Sequence, residues 1–493
     1  MANIYRTYAR GTKSLEKKGQ KEALKVFQDA ASRVPAYKDF LKKNGVNPKA
    51  IKTFSDFQKL PLVDKDNYLR KYPTRELMWN GSEFNGDLIS VSSGSTGEPY
   101  FWLRDHSQQE EAAGFFYDMY KNNFGADETP TLLVVCFSMG IWIAGSYTTL
   151  GGILANQKGL KLNIITPALD VSDALAVIKR LEKNYKQLIL AGYPPFLKDL
   201  IDKGTEEGLD WTKLNIGYTP AGEVIGEELR DYFLKRGTAY KDPSKVTSIY
   251  GTVDAGIVAY ESPLSVLLRR MIYKQNQQEN YFGRQVLPTL AQYDPRRRFI
   301  EIIDGNIVFT SRTGIPLVRY NIKDLGGKVT RLEDLVPDDY KFQGMMKKKG
   351  LDIKTWSRPF VYVHGRSDFA VSLYAVLIYP ENIKKALFKE EVTHYLTGRF
   401  VMSVKHRKNL NQYLEIAVEL RKEVKPSKEA LQHVQHAIAE TLDKDNFEYR
   451  KLKKSIGHKA VPQIKLKPHD DPQYFPRHTN KQRWTAEAIK ARQ

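Results

Sequence analysis

The sequence predicts an α/β protein in two parts: a large N-terminal one with mixed and parallel sheets flanked by helices, and a small C-terminal α+β one. Three observations carry that prediction. Short apolar runs ended by turn residues recur between residues 88 and 220, each followed by a stretch with helical periodicity. That is the pattern of parallel strands joined through crossover helices. At 493 residues the chain is longer than one ordinary core accommodates. Beyond residue 365 the texture changes to a helical segment, ENIKKALFK, two strand-like runs, FVMSVKH and YLEIAVEL, and a long helical one, KEALQHVQHAIAETL. The boundary falls between His364 and Phe369, which divides the chain into 1–367 and 368–493.

Taken in order, residues 13–44 place Leu15, Ala23, Val26, Phe27 and Ala30 near one helical face. VPAYKDFLKK and KTFSDFQKLPLVDKDNYLRKYP then read as short helices punctuated by Pro35, Pro61 and Pro73. LISVSS is a strand running into a glycine-containing loop, and TLLVVCF is a buried strand. LNIITP, QLILAGYP and LNIGYTP are further strands of the same kind, with ligand loops expected at their carboxyl ends. FIEIIDGNIVFTS sets Asp304 and Gly305 between two apolar runs, a hairpin signal. No internal repeat is evident, which argues against solenoids and propellers.

Composition narrows the function classes. Hydrophobic residues make up 41% and charged residues 27%, as in soluble globular proteins. The richest apolar run, Leu132 to Ala155, is interrupted by Ser138, Gly140, Gly145, Ser146 and Gly151, so no membrane span is expected. The N-terminal residues lack an apolar signal core and a cleavage site, and a cytoplasmic location is expected. One cysteine, Cys136, excludes an internal disulfide and a cysteine metal cluster. The formal charge of +20 is uneven: from Lys341 onward 31 Lys and Arg face 16 Asp and Glu. Such a surplus attracts a nucleoside triphosphate, the phosphates of a cofactor or an acidic carrier protein, or it is simply a solvated lysine-rich face. Nucleic acid is not expected, because no RNP motif, zinc finger or helix-turn-helix is recognisable.

The sharpest local feature is Ser92-Ser93-Gly94-Ser95-Thr96-Gly97-Glu98-Pro99, directly after a strand. Small and hydroxylated residues let backbone N–H groups approach a polyphosphate closely. It lacks the Gly-Lys-Ser/Thr ending of a Walker A loop. The loop resembles the phosphate loop of the adenylate-forming (AMP-binding) superfamily, and VPAYKDFLKKNGVNPKAIKTFSDFQKLPLVDKDNYLRKYP resembles the phenylacetate–CoA ligase branch. Further likenesses follow in order along nearly the whole chain. Ala221-Gly222-Glu223 is similar to the segment lining the adenine pocket. Tyr250-Gly251-Thr252-Val253-Asp254 is similar to the motif whose tyrosine stacks on adenine and whose acid helps hold Mg2+. PLVRYNIKD, residues 316–324, resembles the motif whose last aspartate, here Asp324, accepts from the ribose hydroxyls. Gly365-Arg366-Ser367-Asp368 resembles the motif that closes the large domain, with Arg366 at ribose or phosphate and Asp368 as hinge. PRHTNKQR resembles the catalytic-lysine segment, with Lys481 bridging the acid and the α-phosphate.

The resemblance implies an acid–thiol ligase that uses ATP and Mg2+ to make an acyl-adenylate and passes the acyl group to coenzyme A. Asp254 and Lys481 would be its catalytic residues. Phe137, Gly140 and Trp142, with Tyr193, stand where relatives line the acyl pocket, and ordinary core packing is the competing reading. No cation stands out to pair with a second charged group on the acid, which favours an aryl or fatty monocarboxylate. A homodimer is compatible with the sequence. Four departures bear on the activity: Glu98 where many relatives have lysine, Asp254 for glutamate, Asn480 for the glycine before the lysine, and Ala375 with Leu377 for a glycine and an asparagine. Ala375 motivates a rival in which a protein thiol or an amine is the acceptor. Glu98 and Asp254 motivate another, a nucleotide-binding member without turnover.

Overall fold

A computed structural model describes residues 4–82, 88–92, 100–222, 224–283, 287–336, 339–366, 370–387 and 389–475. Ser93 to Gly97, Glu98, Glu223, Asp368, Asn480 and Lys481 lie outside the described residues, and for Ser92 and Arg366 only the backbone is described. The chain divides into two compact units, one of Met1–Val91 and Phe101–Gly365, the other of Ser92–Tyr100 and Arg366–Gln493.

The first unit opens with a helix at Ile4–Arg33, nine residues earlier than the apolar periodicity suggests. Its buried face starts with Tyr8 and Thr12 and passes through Gly19, residues that a search for large apolar side chains overlooks. Leu15 is only half-buried. The helix stops at Val34 (φ −104°, ψ 111°) because Pro35 disfavours helical geometry in the residue before it; a second helix then runs Pro35–Lys43.

Eighteen strands are described. β1 (Leu88–Ser92) and β2 (Tyr100–Arg104) form a two-stranded sheet. β3 (Thr131–Cys136), β4 (Leu162–Ile165), β5 (Gln187–Gly192) and β6 (Ile216–Pro220) form a fully parallel sheet in the order β4-β3-β5-β6. Helices Ile143–Gln157, Val171–Leu181 and Pro194–Glu206 connect these strands. The apolar faces of β3 and β5 are covered on both sides, one by a cluster around Leu175, Ile178, Leu197 and Trp211, the other by Phe116, Met119, Tyr120 and Phe124. Continuous apolar runs are what two covered faces require.

β7 (Ile249–Thr252), β8 (Gly256–Tyr260), β9 (Thr289–Gln292), β10 (Phe299–Ile303), β11 (Asn306–Ser311), β12 (Leu317–Val329) and β13 (Phe360–Arg366) form a seven-stranded sheet ordered β10-β11-β12-β13-β9-β8-β7. The Asp304-Gly305 hairpin forms as its sequence predicts: Ile303 pairs with Asn306, and both turn residues have positive φ (50° and 73°). An additional segment joins this sheet. Val63 forms a parallel bridge to Tyr320, its N–H donating to Arg319 O (3.2 Å) and its carbonyl accepting from Asn321 N (2.8 Å).

The second unit holds the small hairpin β14 (Val371–Leu373) with β15 (Val376–Ile378), and a three-stranded sheet of β16 (Leu396–His406), β17 (Gln412–Leu420) and β18 (Gln463–Lys467). Helices Pro380–Leu387 and Lys428–Asp445 cover it, with a core that includes Phe400, Met402, Ile416, Val434 and Ile438. Tyr374 and Ala375 make the two-residue turn of β14–β15 with φ of 50° and 63°. That left-handed turn ordinarily uses Asn-Gly, and each side chain here carries a steric penalty of roughly 1–2 kcal/mol.

Candidate active site

In the parallel sheet, the loops at the carboxyl ends of the strands carry the acyl-pocket and adenine-pocket candidates. Phe137 follows β3, Tyr193 follows β5, and Ala221 with Gly222 follows β6. Ala221 bridges in parallel to Ile249, so the adenine-pocket segment lies beside the start of β7 and Tyr250. Phe137 and Tyr193 meet edge to face with centroids 5.1 Å apart. Phe137 is buried in the core between strands and helices, whereas Gly140 is exposed and turns the chain with φ 78°. Trp142 is buried and bridges to Val91 of β1, tying this loop to the strand that enters the phosphate loop. Gly145, in the following helix, admits the loop: a Cβ there would stand 2.4 Å from Met139 Sδ and 2.5 Å from the Ser138 carbonyl oxygen.

The two central motifs pair with each other residue by residue. Tyr250 on β7 donates its hydroxyl to Asp324 Oδ2 on β12 at 2.7 Å. Tyr320, also on β12, donates to Asp254 Oδ2 at 2.5 Å. All four side chains are buried. Gly251 and Thr252 carry the strand into the β7–β8 turn, where Thr252 Oγ1 accepts from Ala255 N at 3.0 Å, and Asp254 sits at that turn. The motif arginine, Arg319, is structural. It is buried with φ 48°, donates to both Glu301 carboxylate oxygens (3.1 and 3.3 Å) and to the Leu60 carbonyl, and so fixes β12 where Val63 joins it.

A cation that the sequence reading did not single out completes this cluster. Lys65 Nζ lies 3.3 Å from Asp254 Oδ1 and 5.9 Å from the centre of the Trp102 ring. The side chain is 21% exposed against 6% for that of Asp254, so the ammonium stands on the solvent side of the carboxylate. Its sequence signal is slight, one lysine in a lysine-rich chain. What brings it here is the non-local bridge of Val63 to Tyr320.

Asp254 is suited to an ion carried by a nucleotide more than to a resident one. Among the described residues it belongs to no cluster of three or more metal-ligating groups. Mg2+ commonly takes one or two protein carboxylates and fills the remaining positions with phosphate oxygens and water. Asp254 could offer one such oxygen, Oδ1, the atom that Lys65 Nζ faces.

Compared by sequence with protein-family profiles and with curated proteins, the chain matches none. Solved structures do match. The chain is similar to 2-hydroxyisobutyryl-CoA ligase in complex with 2-HIB-AMP and CoA in the thioesterification state, with a TM-score of 0.63 and 16% identity over 97% of this chain and 91% of that one. It is also similar to that ligase in an open conformation with the same two ligands (TM-score 0.54, 14% identity, 95% and 91% covered). A third match is its postadenylation state with 2-HIB-AMP (TM-score 0.53, 16% identity, 97% and 90% covered). The chain therefore shares the fold of that ligase. No helix among the described residues is long and apolar enough to cross a membrane.

Proposed function

We propose that this protein uses ATP to convert a carboxylic acid into an acyl-adenylate and transfers the acyl group to the thiol of coenzyme A. The observation that carries this reading is the direct pairing of two motifs about seventy residues apart, Tyr250 with Asp324 and Tyr320 with Asp254. A tyrosine ring, a ribose-accepting carboxylate and an ion-binding carboxylate, gathered beside the carboxyl ends of parallel strands, are what a purine nucleotide requires.

In this scheme a carboxylate oxygen of the acid attacks the α-phosphorus, the bond to the bridging oxygen breaks, and pyrophosphate leaves. The thiol sulfur then attacks the acyl carbon, and AMP departs with the carbonyl–phosphate oxygen. Lys481 would hold the attacking carboxylate against the α-phosphate as charge gathers there. Lys65 would supply positive charge beside the triphosphate, where Glu98 removes the lysine of many relatives. A magnesium ion brought with ATP would neutralise phosphate charge, with Asp254 holding it. Residues 1–367 would carry adenylation and residues 368–493 would bring the acceptor, turning about Asp368. The phenylacetate–CoA ligase branch and an aryl or fatty monocarboxylate are the finer assignments, resting on the N-terminal stretch and on the apolar Phe137–Trp142 loop. A second reading keeps adenylation but gives the acyl group to a protein thiol or an amine; the Tyr374-Ala375 turn, where a glycine would expose the backbone, favours it.

The test is ATP–pyrophosphate exchange over a panel of carboxylic acids, with Mg2+ and no thiol. Exchange with one class of acid, abolished in Lys481→Ala, is the expected result; CoA then separates the two acceptors. A folded protein that exchanges with no acid would refute adenylation and favour nucleotide binding without turnover.

A further inference from the structure

Asp254 sits in a turn whose backbone is gripped from both sides. Thr252 and Gly256 are the last paired residues of β7 and β8, so Val253, Asp254 and Ala255 have no ladder partners to fix them. Two buried guanidinium groups take over that role. Arg104 of β2 donates through Nη2 to the Val253 carbonyl and through Nε to Ser90 Oγ at 3.1 Å, and lies 5.2 Å from the centre of the Tyr147 ring. Arg298, just before β10, donates through Nη2 to the Ala255 carbonyl at 2.5 Å and through Nη1 to Glu111 at 2.9 Å. Their exposures are 1% and 3%.

We propose that Arg104 and Arg298 are positioning residues that aim the Asp254 carboxylate by holding its turn at two points, the Val253 carbonyl in the peptide bond to Asp254 and the Ala255 carbonyl one peptide further on. The inference rests on the reading of Asp254 as the residue facing nucleotide and ion. Rotation of the Val253–Asp254 peptide would swing the Cα–Cβ bond of Asp254 away from Tyr320 and Lys65, and release of the Ala255 carbonyl, one peptide further on, would free the other arm of the turn. Gly256 allows the close approach: a Cβ there would stand 3.2 Å from Tyr147 Oη and 3.4 Å from Arg104 Nη1. A buried guanidinium is costly to desolvate, and burial pulls that of Arg104 down to about 10. Its hydrogen-bond acceptors are a hydroxyl and a carbonyl, which fix geometry more than they neutralise charge. Ser90 lies on the strand that enters the phosphate loop, so Arg104 also links that strand to the Asp254 turn.

The test is calorimetric titration of the full chain with ATP, with and without Mg2+, for wild type, Arg298→Lys, Arg104→Lys, Ser90→Ala and Asp254→Asn. Residues that orient an ion ligand typically govern about 10–100-fold in affinity. Arg298→Lys is therefore expected to weaken ATP binding about tenfold with Mg2+ and less than about twofold without it. The change should vanish in the Asp254→Asn background, because a residue acting only through Asp254 has nothing left to position. If Arg104→Lys does not fold, Ser90→Ala tests the same guanidinium, with a loss of about threefold expected from one hydrogen bond. Equal losses with and without Mg2+, or a loss that persists beside Asp254→Asn, would overturn the inference in favour of a merely structural role. A wild-type protein that binds no ATP would overturn the nucleotide reading itself, a result distinct from binding that all variants share.

Discussion

Arg319 offers a clean separation of charge from shape. In Arg319→Met the backbone penalty at φ 48° is common to both side chains and cancels. What is lost is the fork on Glu301, with bonds of 3.1 and 3.3 Å, and the bond to the Leu60 carbonyl. Glu301 is 8% exposed, so its carboxylate is left buried without a counter-charge. Deleting one partner of a buried pair costs about 3–5 kcal/mol, and the partly open edge at Glu301 argues for the lower end, about 3 kcal/mol. Adding Glu301→Leu removes the stranded charge, and apolar replacements of whole buried pairs are often nearly neutral. The double variant should therefore recover about 2 kcal/mol of the loss. Urea unfolding followed by tryptophan fluorescence reports on the right region, since Trp79, Trp102, Trp142, Trp211 and Trp356 all lie in the N-terminal unit. A double variant as unstable as the single one, or a single variant within about 1 kcal/mol of wild type, would refute the assignment of Arg319 as a charge-paired anchor.

Two further outcomes follow from other parts of the chain. In the C-terminal unit Glu415 on β17 pairs with Lys405 of β16 at 2.5 Å and Lys465 of β18 at 2.8 Å. Burial alone would raise its pKa, but the hydrogen bonds from Lys405 and Lys465 outweigh that and hold it below the usual range. Its contribution to stability is thus present above the unfolded glutamate pKa near 4.3 and is lost as pH falls through the lower folded value. Glu415→Gln should flatten that acid limb in thermal denaturation, and an unchanged limb would count against the three-strand pairing. In the N-terminal unit, Gly145→Ala gains up to about 1 kcal/mol of helix propensity but forces the Ser138 carbonyl to move, a repacking that typically costs about 1–3 kcal/mol. A lowered melting temperature together with a raised KM for the acid is expected; a stabilised protein with unchanged KM would contradict the close approach of loop and helix.

Much of this was open to a reader of the sequence. β3, β5 and β6 announce themselves because strands buried along their whole length read as nearly continuous apolar runs. The Asp304-Gly305 turn is equally local, since φ alone selects those residues. The resemblance of whole motifs singles out Tyr250, Asp254 and Asp324, but the pairing of Tyr250 with Asp324 and of Tyr320 with Asp254 was not legible, because it depends on the order of strands in the seven-stranded sheet. Arg104, Arg298 and Lys65 were invisible for a related reason. Each acts on Asp254 or its turn across more than forty residues of chain, and no local pattern distinguishes them among 77 basic residues. The first helix was misjudged at its start, as its buried positions there are Tyr8, Thr12 and Gly19 and its outer face is crowded with charge.

The Val63 bridge also sets a limit on how the protein can be taken apart. By its nucleotide-motif resemblances, the candidate site begins at Ser92, and the first eighty or so residues look like a detachable helical preface. The hydrogen bonds to Arg319 and Asn321 join that preface to β12 of the seven-stranded sheet, and Lys65 follows two residues later. A chain begun at Leu88 would keep every motif from Ser92 to Lys481 and still lose the ammonium that faces Asp254. Excision, fusion or domain exchange at that point would therefore divide a candidate site that its motifs make appear whole.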